Sequence, residues 1–178
     1  ASTPGWHVRL SLGMARVALG LNQPEIAIAA LQEDSRTEPL NPQIHRILAE
    51  AYAAIHLPEE ALQSAQATVQ IAPDDIETLS WFANLCTQIN ARSEAIPALN
   101  RAMQLDPSDA GLALRLGELL LHVSDPRAAR QAFQQVIDNP RASTENLAQA
   151  ADGLITLGDL PAAIIALEHA CAVQSVAD

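Results

Sequence analysis

The chain has 178 residues, which is enough for one domain of ordinary size with a sizeable core. Apolar residues make up 49% of the sequence, and this excludes intrinsic disorder for most of its length. The net charge of −11 argues against a non-specific nucleic-acid binder, because such proteins neutralise phosphates with basic side chains.

Two strong helix formers, 34 Ala and 24 Leu, make up a third of the chain. Aromatic residues account for only 3%, whereas strands are usually built from β-branched and aromatic residues. The composition therefore predicts an all-α fold.

Predicted helical pairs follow one another along the chain at a fixed period of 34 residues. The period is set by an Ala in the second helix of each pair, at Ala27, Ala61, Ala95, Ala129 and Ala163. Pro residues recur at nearly the same period, where second helices begin and where pairs end. The pattern predicts five repeats, over approximately residues 8–41, 42–75, 76–109, 110–143 and 144–178.

Each repeat is predicted to form a helix, a tight turn, a second helix and a closing turn. In the second repeat, Pro58 occupies the first position of the second helix, where its missing N–H costs no hydrogen bond. The adjacent Asp74 and Asp75 are suited to cap the helix that follows. In the third repeat, Ser93 as N-cap would place Pro97 in the first turn, so we expect that helix to begin late.

These residues carry a family resemblance. A 34-residue helix–turn–helix with Leu-Gly or Leu-Ala, then Tyr, Ala and Pro at set positions, resembles the tetratricopeptide repeat. The second repeat matches with Leu48, Ala49, Tyr52, Ala61 and Pro73, and the fourth with Leu116, Gly117, Ala129 and Phe133. The resemblance implies a right-handed α-solenoid of five repeats in a single domain over residues 1–178. Because the chain lacks an initiator Met, we expect it to be part of a longer protein.

In that family, the first helices of the stacked repeats line a concave groove that holds an extended or helical peptide. Family positions carried onto this chain place Arg9, Arg16, Arg46, Glu50, Asn84, Gln88, Glu118 and His122 in the groove. Apolar residues fall on groove positions too, and these are Leu12, Leu19, Ala53, Leu114, Leu121, Ala148 and Ile155. Arg side chains lie toward the N-terminal end and carboxylates toward the C-terminal end. We interpret this as a polarised site that binds an acidic residue or a terminal carboxylate of a partner.

The predicted last helix is apolar around most of its circumference. Its apolar side chains include Ile164, Ile165, Leu167 and Cys171. Terminal repeats normally need a polar outer face. We therefore predict that this helix packs on further repeats, on a capping helix, or on a second copy of the chain as a homo-oligomer.

No pattern for catalysis was found. The five His residues lack metal-ligand spacing, and neither Cys86 nor Cys171 belongs to a Cys-His constellation suited to catalysis, so we expect no metal, cofactor or enzymatic activity. Adjacent carboxylates such as Glu59 and Glu60 favour the helix dipole rather than acid–base chemistry. No apolar run is long enough for a membrane span, and no export signal is visible, so a cytoplasmic location is the default expectation unless the chain is a processed fragment.

The leading hypothesis is a non-catalytic scaffold that binds a peptide segment of a protein partner in its groove. Two alternatives stay open. The chain could be a structural or self-association module of a larger protein, or the substrate-docking region of a multidomain enzyme.

Overall fold

All regular structure in the part of the chain that the computed structural model describes, residues 4–177 for the backbone and 6–175 for side chains, is helical. The helices are α1 (Pro4–Gly20), α2 (Pro24–Leu31), α3 (Asp34–Thr37), α4 (Pro42–Ala54), α5 (Pro58–Ile71), α6 (Ile76–Gln88), α7 (Arg92–Leu105), α8 (Ala110–His122), α9 (Pro126–Ile137), α10 (Thr144–Thr156) and α11 (Leu160–Ala177). The all-α prediction is confirmed.

Helix starts repeat at the predicted period. The second helices of the five pairs begin at Pro24, Pro58, Arg92, Pro126 and Leu160, each 34 residues after the last. First helices α4, α6, α8 and α10 follow the same spacing. The Ala that sets the period is completely or almost completely buried in every repeat. Five helix–turn–helix repeats are therefore confirmed.

The chain divides into two compact units. Unit 1 spans residues 1–91 and contains α1 to α6, and unit 2 spans residues 92–178 and contains α7 to α11. The boundary falls between the two helices of the third repeat. Within each unit, second helices pack on the first helix of the following repeat, as α2 does on α4 and α9 on α10. A single domain over residues 1–178 stays a prediction.

The tight turn inside every repeat is closed by one left-handed residue. These residues have φ between 57° and 72° and are Asn22, His56, Asn90, Ser124 and Gly158. The residue after each donates its backbone N–H to the carbonyl five residues earlier, at 2.7–3.0 Å, which satisfies the last turn of the first helix. The motif escaped sequence analysis because only one of the five residues is glycine.

The expectation for Pro97 is wrong. Helix α7 begins at Arg92, in register with the other second helices, so Pro97 lies inside it. Buried Ala95 and Leu99 fix this register through packing. Pro97 itself is exposed, so the carbonyl that loses its partner can bind water instead.

The first helices α4, α6, α8 and α10 begin with side-chain caps. Asp75 caps α6 by accepting hydrogen bonds from the Thr78 backbone N–H at 2.8 Å and from the Thr78 hydroxyl at 2.5 Å. These two bonds hold the pKa of the Asp75 carboxyl below its ordinary value. The folded state therefore binds a proton at the Asp75 carboxyl less tightly than the unfolded state does. The contribution of the cap to stability is fully present above the ordinary carboxyl pKa, and it is lost as the pH falls through the lowered pKa of the folded state.

We expect Asp75→Ala to lower the free energy of unfolding by about 1 kcal/mol at neutral pH, the usual cost of a lost cap. Denaturant titrations at neutral and acid pH check this, and the difference from wild type should shrink in acid. Asp75→Asn keeps a capping side chain and is the control, with a smaller loss and no such pH dependence. A difference between wild type and Asp75→Ala that is constant with pH would contradict the account.

Candidate functional site

A cavity of about 540 Å³ opens over the first helices of unit 1. We call it the Arg46 cavity; it is lined by Arg16, Leu19, Gln43, Arg46, Ile47, Glu50 and Glu77. Helix α4 turns its apolar residues Ile44 and Leu48 into the core. The helical period then brings its polar residues at 43, 46 and 50 to the opposite side, where they meet α1 and α6.

The guanidinium of Arg46 is held on three sides. It lies 5.1 Å from the ring centroid of Trp81, with its NH1 atom 3.2 Å from Glu77 Oε1 and its Nε atom 3.6 Å from Glu50 Oε1. Trp81 Nε1–H in turn donates to Glu50 Oε1 at 2.9 Å. Cation–π stacking and the two carboxylates together fix the orientation of the Arg46 fork.

Arg16 has a different environment. Its NH2 group donates to the side-chain oxygen of Gln43 at 3.2 Å, and the residue is exposed. This partner is neutral, and Arg16 is one of the residues that line the cavity. Arg9, two helical turns before Arg16 along α1, lies 5.9 Å from the ring centroid of the exposed Trp6.

The predicted separation of charges is wrong within unit 1. Glu50 and Glu77 lie against Arg46, so carboxylates occupy the same part of the face as the Arg residues. The reason is geometric. Helices α4 and α6, the first helices of successive repeats, are in contact, and this contact places Glu77 beside Arg46. Arg16, Arg46, Glu50 and Glu77 together carry no net formal charge.

The other predicted groove residues fall into two groups. Asn84 and Gln88 are exposed on α6 in unit 1. Glu118 and His122 are exposed on α8 in unit 2, where His122 Nδ1 is hydrogen bonded to the Glu118 backbone carbonyl at 2.8 Å. Of the eight predicted site residues, the structure brings Arg16, Arg46 and Glu50 into one cavity.

Three predicted groove positions are wrong. Leu12, Ala53 and Leu114 are buried, with at most 9% of each exposed. Their side chains are apolar and lie at the edge of the core-facing stripe of their helices, so packing draws them inward.

Trp81 was not among the predicted groove residues. The structure leaves it partly exposed, with its ring under Arg46. The available signal was its place on the first helix of the third repeat, three residues before the predicted groove residue Asn84. A side chain as long as indole can reach the neighbouring first helix from there.

In unit 2, Arg115 on α8 is partly buried. Removal from water lowers the pKa of its guanidinium, and the nearby carboxylates of Asp109 and Glu118 oppose this shift. Glu118 therefore lies near the positive charge of Arg115. Both residues belong to α8 in unit 2 and not to the Arg46 cavity.

The side chains predicted for self-association are exposed on α11. Ile164, Ile165, Leu167 and Cys171 all face away from the helices of unit 2, whereas Ala163 and Ala166 are buried. Self-association itself stays a prediction.

Over the described residues, no three His, Cys, Asp or Glu side chains are close enough together to hold a metal ion. None of the described helices has the length and apolar character needed to cross a bilayer.

Comparison with known proteins gives a consistent result. A family model for the tetratricopeptide repeat matches residues 12–76 and 90–151. A curated relative, the CTR9 homolog of Arabidopsis thaliana, is 39% identical over 66 residues, which are 37% of this chain and 6% of that protein. The chain thus spans a small fraction of that relative.

Solved structures share the fold. MamA from Desulfovibrio magneticus RS-1 aligns with a TM-score of 0.70 and 17% identity, covering 100% of this chain and 99% of that one. YrrB, described as a TPR protein with an unusual peptide-binding site, aligns with a TM-score of 0.64 and 15% identity over 93% of this chain and 85% of its own. At these identities the likeness concerns the fold alone.

Proposed function

Because the chain belongs to the tetratricopeptide repeat family, whose members are in general non-catalytic scaffolds for protein–protein interaction, we propose that the Arg46 cavity of unit 1 binds a peptide segment of a protein partner. One observation carries the proposal. Arg16 faces the cavity with a neutral hydrogen-bond partner, beside an Arg46 fork whose orientation is already fixed.

The lining favours a ligand of mixed character. A carboxylate of the bound segment would take Arg16 as a charge-assisted partner, which is stronger than the neutral bond to Gln43. Leu19 and Ile47 supply an apolar floor, and Glu50 and Glu77 offer acceptors for peptide N–H groups or a basic side chain. Side chains already held in place lose little entropy on binding, which favours association.

Arg46 is a positioning residue under this proposal. Its two carboxylate neighbours already satisfy its charge, so its role is to hold Glu50, Glu77 and Trp81 in their places. Replacing it by Glu would bring three carboxylates together and disturb the fold as well as the ligand. Arg16 is the cleaner position for a test.

We expect wild type to select acid-containing peptides from a displayed random library, with dissociation constants on the order of micromolar, as for reversible adaptors. Arg16→Glu should weaken the selected peptides at least about tenfold, because it replaces an attractive charge pair by a repulsive one. Fluorescence anisotropy with labelled peptides measures the change. Arg36→Glu, an exposed charge reversal on α3 away from the cavity, is the matched control.

Circular dichroism should show both variants folded, since exposed substitutions of this kind seldom change stability by more than about 0.5 kcal/mol. Equal loss of binding in Arg16→Glu and Arg36→Glu would mean that net charge, not the cavity, governs binding. Selected peptides that bind Arg16→Glu as tightly as wild type would contradict the proposal.

A further inference from the structure

Helices α7 and α9, the second helices of neighbouring repeats, border a groove whose floor is formed by α8. The groove consists of two adjoining cavities of about 740 Å³ and 560 Å³, whose linings share Asn100, Met103 and Gln135. Every lining residue belongs to unit 2, and we call this feature the α7–α9 groove. Its largest apolar side chains are Ile96, Met103, Leu116, Leu120 and Val123. An apolar floor with a few polar groups around it is typical of binding clefts.

The corresponding space between the next two second helices, α9 and α11, is bridged by an ion pair. Arg130 Nε lies 2.6 Å from Asp159 Oδ2. One period earlier the same two positions hold Ile96 and Asp125, which cannot form such a bridge. Helices α9 and α11 are also in more extensive contact than α7 and α9. The α7–α9 groove is therefore open at the register where the following one is bridged.

Amide side chains line the rim of the α7–α9 groove. Asn100, Gln131 and Gln135 are exposed, and within the part of the chain that the structure describes none of the three has a hydrogen-bond partner. An amide carries a donor and an acceptor, as a peptide group does. An extended segment presents unpaired backbone N–H and C=O groups, whereas a helix bonds its own. The rim therefore favours an extended occupant.

The charge of the groove favours a basic occupant. Its lining contains three carboxylates and one guanidinium, and these belong to Asp109, Asp125, Asp138 and Arg141. Asp125 caps α9 by accepting the Ala128 backbone N–H at 3.1 Å, and it pairs with no cation among the described residues. Its counterpart Asp159 has Arg130 as a partner. A cationic side chain of a ligand would supply the partner that Asp125 lacks.

Pro97 adds an acceptor near the same end of the groove. Proline has no N–H to give to the carbonyl four residues earlier, which is that of Ser93. Ser93 lies in the first turn of α7 and lines the groove, as Asp125 does at the start of α9. The Ser93 carbonyl can therefore accept a hydrogen bond from a ligand. This gives Pro97, which departs from the helical pattern, a place in the site.

We propose that the α7–α9 groove binds an extended segment of a protein partner, with apolar side chains on the floor and a Lys or Arg side chain beside Asp125. The apolar side chains would contact Ile96, Met103 and Val123. The rim amides would bond the backbone of the segment. This ligand differs in charge from the acid-containing segment proposed for the Arg46 cavity, and the two sites lie in different units of the chain.

The test selects ligands and then closes the groove. The bait for a displayed random peptide library is the full chain with Arg16→Glu, so that ligands of the Arg46 cavity are not enriched. We expect peptides that combine apolar residues with Lys or Arg. Ile96→Arg introduces the residue that Arg130 provides one repeat later, so it should pair with Asp125 and bridge the groove. Fluorescence anisotropy should show the selected peptides binding this variant at least about tenfold more weakly than wild type.

Ile26→Arg is the matched control, because it makes the same substitution at an Ile that is 50% exposed on α2 in unit 1. It should bind the selected peptides like wild type. Asn100→Arg places a positive charge on the exposed rim and should weaken binding without loss of the fold, which keeps the test valid if Ile96→Arg unfolds. Circular dichroism checks folding of each variant.

A second comparison locates the basic side chain of the ligand. Asp125→Asn removes the charge and keeps a capping side chain. Replacing the basic residue of a selected peptide by Gln should weaken binding to wild type and have little further effect on binding to Asp125→Asn. Equal effects on both proteins would overturn the proposal, as would a library without enriched basic peptides, equal binding to Ile96→Arg and Ile26→Arg, or added helical signal when the peptide binds. None of these results depends on whether the Arg46 cavity binds a peptide.

Discussion

Replacing Phe133 by Ala is expected to lower the free energy of unfolding by about 3–5 kcal/mol, the usual cost of removing a buried aromatic ring. Phe133 on α9 is fully buried and has the largest fully buried side chain of the described chain. Its ring lies against the backbone of Gly117 on α8 and of Gly153 on α10. The substitution leaves a cavity where three helices meet, and the two glycines have no side chains to fill it.

Chemical denaturation followed by circular dichroism measures this change. The neighbouring Gln131→Ala is the control, because Gln131 is exposed on the same helix and its loss should change stability by no more than about 0.5 kcal/mol. The cavity should also bind small apolar molecules that wild type does not bind. A loss below about 1 kcal/mol for Phe133→Ala would mean that the helices close around the gap, and the packing described here would be wrong.

Gly153→Ala is expected to destabilise the fold by about 1–3 kcal/mol, as overpacking of a core does. A Cβ atom at position 153 would overlap the Phe133 ring, and one at position 117 would lie 2.6 Å from Phe133 Cε1. The ring is enclosed and cannot move aside, since no part of Phe133 is exposed. In an open helix the same substitution would stabilise, so the sign of the effect depends on this contact.

Gly13→Ala provides that comparison. Gly13 lies inside α1, and a Cβ atom there would meet nothing within 4 Å, so we expect a gain of about 0.5–1 kcal/mol. Denaturant titration of both variants gives the two signs. A Gly153→Ala/Phe133→Leu double variant replaces the ring by a smaller side chain. Its loss of unfolding free energy should be smaller than the sum of the losses of the two single variants. Stabilisation by Gly153→Ala would show that the ring has room to shift.

Most of the repeat architecture could be predicted from the sequence. The spacing of Ala27 and its successors located every second helix, because each must bring a small side chain to the same close contact. Pro at first helical positions and Asp75 as a cap were also readable, since both act through the local backbone. Pro97 misled the prediction because packing of Ala95 and Leu99 outweighs the lost hydrogen bond.

The candidate site was only partly predictable. The structure brings the predicted residues Arg16, Arg46 and Glu50 into one cavity, because helical periodicity places them on one side of their helices. The partners of Arg46 were not predicted, because Glu77 and Trp81 belong to α6 and reach α4 only when the two helices pack. Charges that are well separated in sequence order become neighbours in this way.

The sequence by itself determined the period, the helical pairs and the family, because these depend on which residues recur at each position and on the local backbone they favour. Only the tertiary structure decided which side chains are covered. Leu10 and Ile44 occupy the same register, yet Leu10 is exposed and Ile44 is buried, since a second helix packs on α4 and none of the described helices packs in that place on α1. Burial is a property of the neighbouring element, and residue type alone does not contain it.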